Sequence, residues 1–170
     1  DMGGGLGVTY DNETPPTPSE YCAPILERLK DLDVSIYIEP GRAMVANACI
    51  LLAKVQYQKD NGDKHFIITD TGMNDMIRPA LYGSWMTIIN TTVHPDGEAV
   101  KSDVVGPICE SDDFLGKDRK LNVRNGDILA VRGAGAYGSS MASTYNTRRL
   151  PCEVMVDGDK SYVIKKRQSY

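Results

Sequence analysis

The chain reads as α/β over residues 1–48 and all-β over residues 49–170. Two observations set this division: a helical apolar spacing followed by a β-branched run near the N-terminus, and, from Ile50 onward, short apolar runs separated by Gly, Asp and Pro turns. A third bounds it. With 170 residues, 41% of them hydrophobic, the chain fits one globular domain or a domain plus a fragment.

Taken in order, the chain opens on a glycine cluster, Gly3-Gly4-Gly5-Leu6-Gly7, where an intact domain would offer a strand or helix, so it reads as part of a longer protein. Pro15, Pro16 and Pro18 make a connector. Ser19 is then expected to cap a helix from about Glu20 to Leu32 whose apolar face is Ile25, Leu26, Leu29 and Leu32. Val34 to Ile38 is expected to form a strand that stops at Glu39-Pro40-Gly41-Arg42, and Arg42 to Ala48 a helical turn. Strands follow at Ile50 to Gln58 and Lys64 to Thr69 around an Asp60-Asn61-Gly62 turn, and at Met86 to Thr92, Ala99 to Val105, Ile128 to Arg132, Cys152 to Val156 and Ser161 to Lys165. The stretch Gly133 to Thr147 is polar and glycine-broken, too irregular to serve only as core.

Composition removes several classes of function. Nineteen Lys and Arg against 23 Asp and Glu leave a net charge of −4, and the longest basic run is Lys165-Lys166-Arg167. Neutralising a nucleic-acid backbone takes many clustered cations, so nucleic acid is not the expected partner. The longest apolar runs, such as Ile50 to Ala53, fall far short of the roughly 20 residues that span a bilayer. No targeting segment is visible, and the cytoplasm is the expected location. Cys22, Cys49, Cys109 and Cys152 show neither paired nor zinc spacing and read as thiols; His65 and His94 are isolated, so no metal is expected.

Several short segments carry possible chemistry. The glycine cluster can aim backbone N–H groups at an anion, but it lacks the third glycine of the dinucleotide fingerprint and the Gly-Lys of a P-loop; a tight turn explains it as well. Glu39 and Arg42 place an anion and a cation three residues apart around Gly41, which a surface ion pair would also explain. Two anion-binding loops after neighbouring strands would open on one mouth of a barrel, and together they say more than either alone. Cys109 follows Gly106-Pro107 in a turn. Glu110, Asp112 and Asp113 around it disfavour a resting thiolate and suit a proton donor. Arg78 suits a carboxylate or phosphate, and Tyr137 stands between glycines; a surface pair and a half-buried aromatic are the plain readings.

In order, Gly3 to Gly7, Glu39-Pro40-Gly41-Arg42, Met73 to Gly83, Gly106-Pro107-Ile108-Cys109-Glu110-Ser111 and Gly133 to Tyr145 closely resemble the diaminopimelate decarboxylase family. These are pyridoxal-phosphate enzymes with an alanine-racemase-like (β/α)₈ barrel followed by a β domain. The resemblance covers essentially the whole chain. Cys-Glu-Ser with Arg-Pro-Ala-Leu-Tyr-Gly points to this branch rather than to ornithine or arginine decarboxylases.

The resemblance implies that residues 1–48 are the last elements of the barrel and 49–170 most of the β-rich domain. It implies that Gly3, Gly4, Gly5 and the loop Glu39, Pro40, Gly41, Arg42 hold the phosphate of pyridoxal 5'-phosphate, with Tyr137 helping, and that Glu39 faces the pyridine nitrogen. Arg42, Arg78, Tyr82, Glu110 and Tyr137 match substrate contacts, and Cys109 matches the proton donor. The substrate so implied is an amino acid, meso-2,6-diaminopimelate, decarboxylated to L-lysine. A diamino diacid needs a cation for its distal carboxylate and an anion for its distal ammonium, which Arg78 and Glu110 supply. In the family Cys109 and Glu110 reach the neighbouring subunit's site, so a homodimer with shared sites is implied. The family's cofactor-bearing lysine lies on an early barrel strand, and none of Lys54, Lys59, Lys64, Lys101 or Lys117 sits in a matching motif. The 170 residues alone are therefore expected to be inactive. Two other functions compete: a non-catalytic homologue that binds the cofactor or a partner decarboxylase, and a decarboxylase of carboxynorspermidine or another basic amino acid.

Overall fold

The computed structural model describes residues 1–170. Helix α1 (Pro18–Leu29) is capped by Thr17, not Ser19: the Glu20 N–H donates to the Thr17 hydroxyl at 3.3 Å and the Thr17 N–H donates to the Glu20 carboxylate at 2.8 Å. Only Thr17 has a Glu three residues on, and that reciprocal pair decides the start. The helix ends at Leu29 rather than Leu32, since Asp31 and Asp33 would place negative charge at its carbonyl end. No α1 side chain is buried, and Leu26 is 55% exposed.

Val34 to Ile38 is not a strand. A ladder requires repeated pairing with a neighbour, whereas here the Met2 N–H donates to Tyr37 O at 2.9 Å and the Glu39 N–H to Gly3 O at 2.8 Å. Those two bonds nonetheless lay the glycine cluster against Glu39. Helix α2 (Gly41–Val45) and a 3-10 turn, Ala46–Ala48, follow, with Ala46 buried against Val8 and Ala136.

Strand β1 (Ile50–Asn61) pairs with β2 (Lys64–Thr69) through the two-residue turn Gly62-Asp63. This is one residue later than expected, because the turn's first position has φ of +61°, which glycine adopts without strain. Helix α3 (Arg78–Tyr82) precedes β3 (Ile88–Asn90), β4 (Val100–Val105), β5 (Phe114–Leu121) and β6 (Ile128–Arg132). The sequence gives little sign of β5. Its inward positions hold Leu115, Gly116, Arg119 and Leu121 among outward charges, and the positive φ of Asp118 breaks the alternation.

The six strands form one mixed sheet in the order β3-β6-β1-β2-β4-β5. It nearly closes on itself, because Arg119 of β5 donates to Met86 O at 3.1 Å and Asn90 of β3 donates to Asn122 O at 2.9 Å. Val55, Ile67, Met76, Met86, Leu115, Leu129 and Val131 fill the interior, each 0% exposed. Only β2 and β4 pair in parallel. A parallel pair cannot be joined by a hairpin, so residues 70–99 cross over, and that crossover carries α3. The ribbon of β7 (Glu153–Asp157) and β8 (Lys160–Lys165) stands apart, with Val154, Val156 and Val163 exposed.

Candidate functional site

A cleft of about 460 Å³ opens where the N-terminal segment meets the sheet domain, lined by Gly4, Gly5, Glu39, Pro40, Gly41 and Arg42 on one side and Arg78, Tyr82 and Tyr137 on the other. Leu6 and Met141 complete it. Gly3 stands just behind, its carbonyl accepting from Glu39. A Cβ on Gly4 would lie 2.9 Å from Glu39 O, so side-chain-free backbone is what lets the two loops meet. The Gly4 and Gly5 amides donate to no group of the chain, while Gly4 O accepts from the Tyr21 hydroxyl of α1 at 2.7 Å. Two residues with unpaired backbone N–H groups thus line the same cleft as Arg42.

Arg78 comes from α3. Its guanidinium lies 6.0, 5.5 and 5.2 Å from the ring centres of Tyr10, Tyr82 and Tyr137. Its Nε is buried without a partner, and no carboxylate lies within ion-pair distance. It is thus a cation held by aromatic faces, not the surface pair that its sequence setting also allows. Tyr137 reaches the cleft because the Ala134 N–H donates to Cys49 O (3.1 Å) and the Gly135 N–H to Ala46 O (3.0 Å), docking residues 133–138 against the end of α2.

Cys109 and Glu110 line none of this cleft. Both are exposed on a turn between β4 and β5, and all four cysteines are free thiols. Of the acids around Cys109, Asp113 turns inward: its carboxylate accepts from Met73 N–H (2.6 Å) and Ile108 N–H (2.5 Å), so it does not bear on the thiol as a flanking charge. Burial pushes the Asp113 carboxyl above the ordinary aspartate range, opposed by those two amides and by Arg148. Asp75, beside Met76 in the crossover, is raised for the same first reason.

Leu6 and Met141 line the cleft, and Tyr10 faces the Arg78 guanidinium without lining it; motif reading singles out none of the three. Leu6, Val8 and Tyr10 recur at every second position after the glycines, a strand-like period that places all three on one face and could have marked Tyr10. A second cavity, of about 580 Å³, is lined by Met73, Asn74, Ile77, Ser143, Thr144, Tyr145 and Asn146; all but Asn146 fall within the segments Met73 to Gly83 and Gly133 to Tyr145, yet none is a residue singled out for cofactor, substrate or proton transfer.

Residues 8–135 match the family described as pyridoxal-dependent decarboxylase, C-terminal sheet domain. The chain is 56% identical over 170 residues to the diaminopimelate decarboxylase of Haemophilus influenzae, covering 99% of the chain and 41% of that protein. It superimposes on the crystal structure of diaminopimelate decarboxylase from Helicobacter pylori complexed with L-lysine with a TM-score of 0.91 at 44% identity, over 98% of the chain and 41% of that one. The lysine/ornithine decarboxylase of Vibrio vulnificus complexed with cadaverine matches over 85% of the chain and 39% of its own length, at 30% identity and a TM-score of 0.74. The chain thus spans about two fifths of the length of these relatives.

Proposed function

The chain belongs to the pyridoxal-dependent decarboxylases, whose C-terminal sheet domain it matches over residues 8–135, and from that membership we propose that it serves as the C-terminal portion of a diaminopimelate decarboxylase. The reaction releases carbon dioxide from meso-2,6-diaminopimelate and puts a proton on the same carbon, leaving L-lysine. In this reading residues 1–48 are the closing elements of a (β/α)₈ barrel, and the rest of the protein contributes the lysine that bears the cofactor. The observation that carries the proposal is the meeting of the glycine cluster, the Glu39–Arg42 loop, Arg78, Tyr82 and Tyr137 in one cleft.

The residues present fit pyridoxal 5'-phosphate. Free amides at Gly4 and Gly5, the Arg42 guanidinium and the Tyr137 hydroxyl are donors suited to a phosphate ester. Glu39 is the carboxylate at hand to keep a pyridine nitrogen protonated. When bound, the cofactor supplies an electron sink for the pair released as carbon dioxide leaves. The chain's own residues do the rest. Arg78, fixed by its tyrosines, binds a substrate carboxylate, and Tyr82 walls the pocket beside it. Cys109 donates the proton that replaces carbon dioxide, and Glu110 receives the distal ammonium. Since those two line none of this cleft, we assign them to the same cleft of a second copy of the chain, in a homodimer.

The test is carbon dioxide release by the intact protein with pyridoxal phosphate. Diaminopimelate should turn over, with lysine and ornithine at least 100-fold slower, since a site built to pair a charged group rejects strongly the analogue that lacks it. Equal turnover of lysine would sink the assignment. The lower coverage of the lysine/ornithine enzyme favours the diamino diacid.

A further inference from the structure

We propose that Asp113 is a positioning residue that aims the Cys109–Glu110 turn, and that it acts on proton delivery through Cys109; this rests on the reading of Cys109 as proton donor.

Cys109 and Glu110 are exposed, and neither side chain is held by another element. Inside the turn the hydrogen bonds are local: Glu110 N–H to Ile108 O at 2.8 Å, and Asp113 N–H to Glu110 O at 3.2 Å. Such bonds give the turn its shape but do not say where it points. Direction comes from Asp113. One carboxylate oxygen accepts from Ile108 N–H, immediately before the cysteine, and the other from Met73 N–H, 40 residues away in the crossover that carries Arg78.

The junction is built tightly around that carboxylate. A Cβ on Gly106 would lie 2.4 Å from Gly72 Cα and 2.6 Å from Asp113 Oδ2, and one on Gly72 would lie 2.5 Å from Asp113 Oδ1. The two segments touch backbone to backbone, which only glycine allows. Asp113 is 5% exposed and Ile108 6%, so water has little access to the carboxylate or to the Ile108 amide, while Met73 is half-buried. A carboxylate is the group that accepts from two opposed N–H donors. An amide in its place keeps one acceptor and turns an N–H toward the second donor. One buried side chain thus ties the loop carrying the substrate cation to the turn carrying the proton donor, and reactive groups held by such supports lose rate steeply when the support loosens.

The experiment is a double-mutant cycle in the intact enzyme, with Asp113→Asn, Cys109→Ala and both together, measuring kcat, KM and the absorbance of bound cofactor. Asp113→Asn is expected to lower kcat about tenfold, to raise KM as the Glu110 contact loosens with the same turn, and to leave cofactor content unchanged, with no further loss of kcat in the Cys109→Ala background, as coupled sites behave. Equal losses in both backgrounds would overturn the proposal and make Asp113 a fold residue only. Unchanged kcat in Cys109→Ala would overturn the proton-donor reading itself, and the role of Asp113 with it. Should Asp113→Asn fail to fold, amide exchange in the wild-type enzyme decides. Protection of Met73 and Ile108 as strong as that of β4 supports the clamp, and rapid exchange at either refutes it.

Discussion

Arg78 sits among three tyrosine rings with a buried, unpartnered Nε and no carboxylate in reach. A half-buried cation without a counter-ion favours an incoming anion, and its planar fork stacks on the rings as an ammonium cannot. Arg78→Lys should therefore raise KM for diaminopimelate about tenfold, or ~1.4 kcal/mol, with cofactor content unchanged; an unaltered KM would remove the residue from the substrate pocket. Tyr137→Phe deletes the hydroxyl that the proposed function sets beside the cofactor phosphate and should increase the rate of cofactor loss on dialysis, which absorbance follows. Asp75 gives a pH signature. Burial first, then Asp70, raises its carboxyl above the ordinary 3.8 against the pull of the Gly72 amide, Arg148 and Asn74. Its contribution to stability is fully present below pH 3.8 and is lost as pH rises through the raised value. Asp75→Asn, which never charges, should gain on the wild type in melting temperature from acid toward neutral pH. A constant difference across that range would contradict the assignment.

The strands differ in how openly their sequences announce them. Ile128–Arg132 and Lys64–Thr69 show apolar or alternating runs with clear ends, and both form as read. β5 does not announce itself, because Arg119 and Gly116 point inward where a pattern argument expects apolar side chains. Its place is set by Trp85, whose ring lies 3.2 Å from the Arg119 guanidinium, and by Met86 O. Val34 to Ile38 errs the other way, with strand composition and no ladder. Between β3 and β6, Asp127 Oδ2 accepts from Asn90 Nδ2 (2.8 Å) and Arg124 N–H (2.8 Å) and lies 2.6 Å from His94 Nε2. Burial raises its carboxyl, but the Arg124 amide, His94 and Asn90 outweigh it and hold the group below 3.8. The stability it adds is present above pH 3.8 and lost as pH falls through the depressed value. Asp127→Ala should lower the melting temperature at pH 7 by roughly 5 °C or more, and the gap to wild type should close in acid. A gap that persists undiminished at pH 3 would show the contribution to be packing alone.

Across the full chain, the sheet domain owns the core and the first 48 residues own almost none of it; only Leu6, Val8 and Ala46 are buried apolar residues there. For the 170 residues in isolation, amide exchange should be fast through α1 and slow through β1, β2, β4 and β6. Comparable protection of α1 would mean that it packs more firmly than its surface allows. The separation of Cys109 from the cleft leads to a prediction for the assembly. Mixing intact Cys109→Ala and Arg78→Ala enzymes should restore about 25% of wild-type activity, since half the randomly formed dimers are hybrids with one unmutated site in two. No recovery after verified subunit exchange would place Cys109 and Arg78 in the same subunit's site.

Local chemistry was readable in the one-dimensional order of residues. Glycines that permit close approach, a Glu-Pro-Gly-Arg bend, a cysteine outside any apolar face and strands with period two depend on neighbours a few positions away. Convergence was not readable. Gly4 meets Glu39, Tyr10 and Tyr137 join Tyr82 around Arg78, and Asp113 reaches back to the Met73 amide in the crossover that the parallel β2–β4 pairing requires. Those are contacts between residues dozens of positions apart, and no local pattern encodes them.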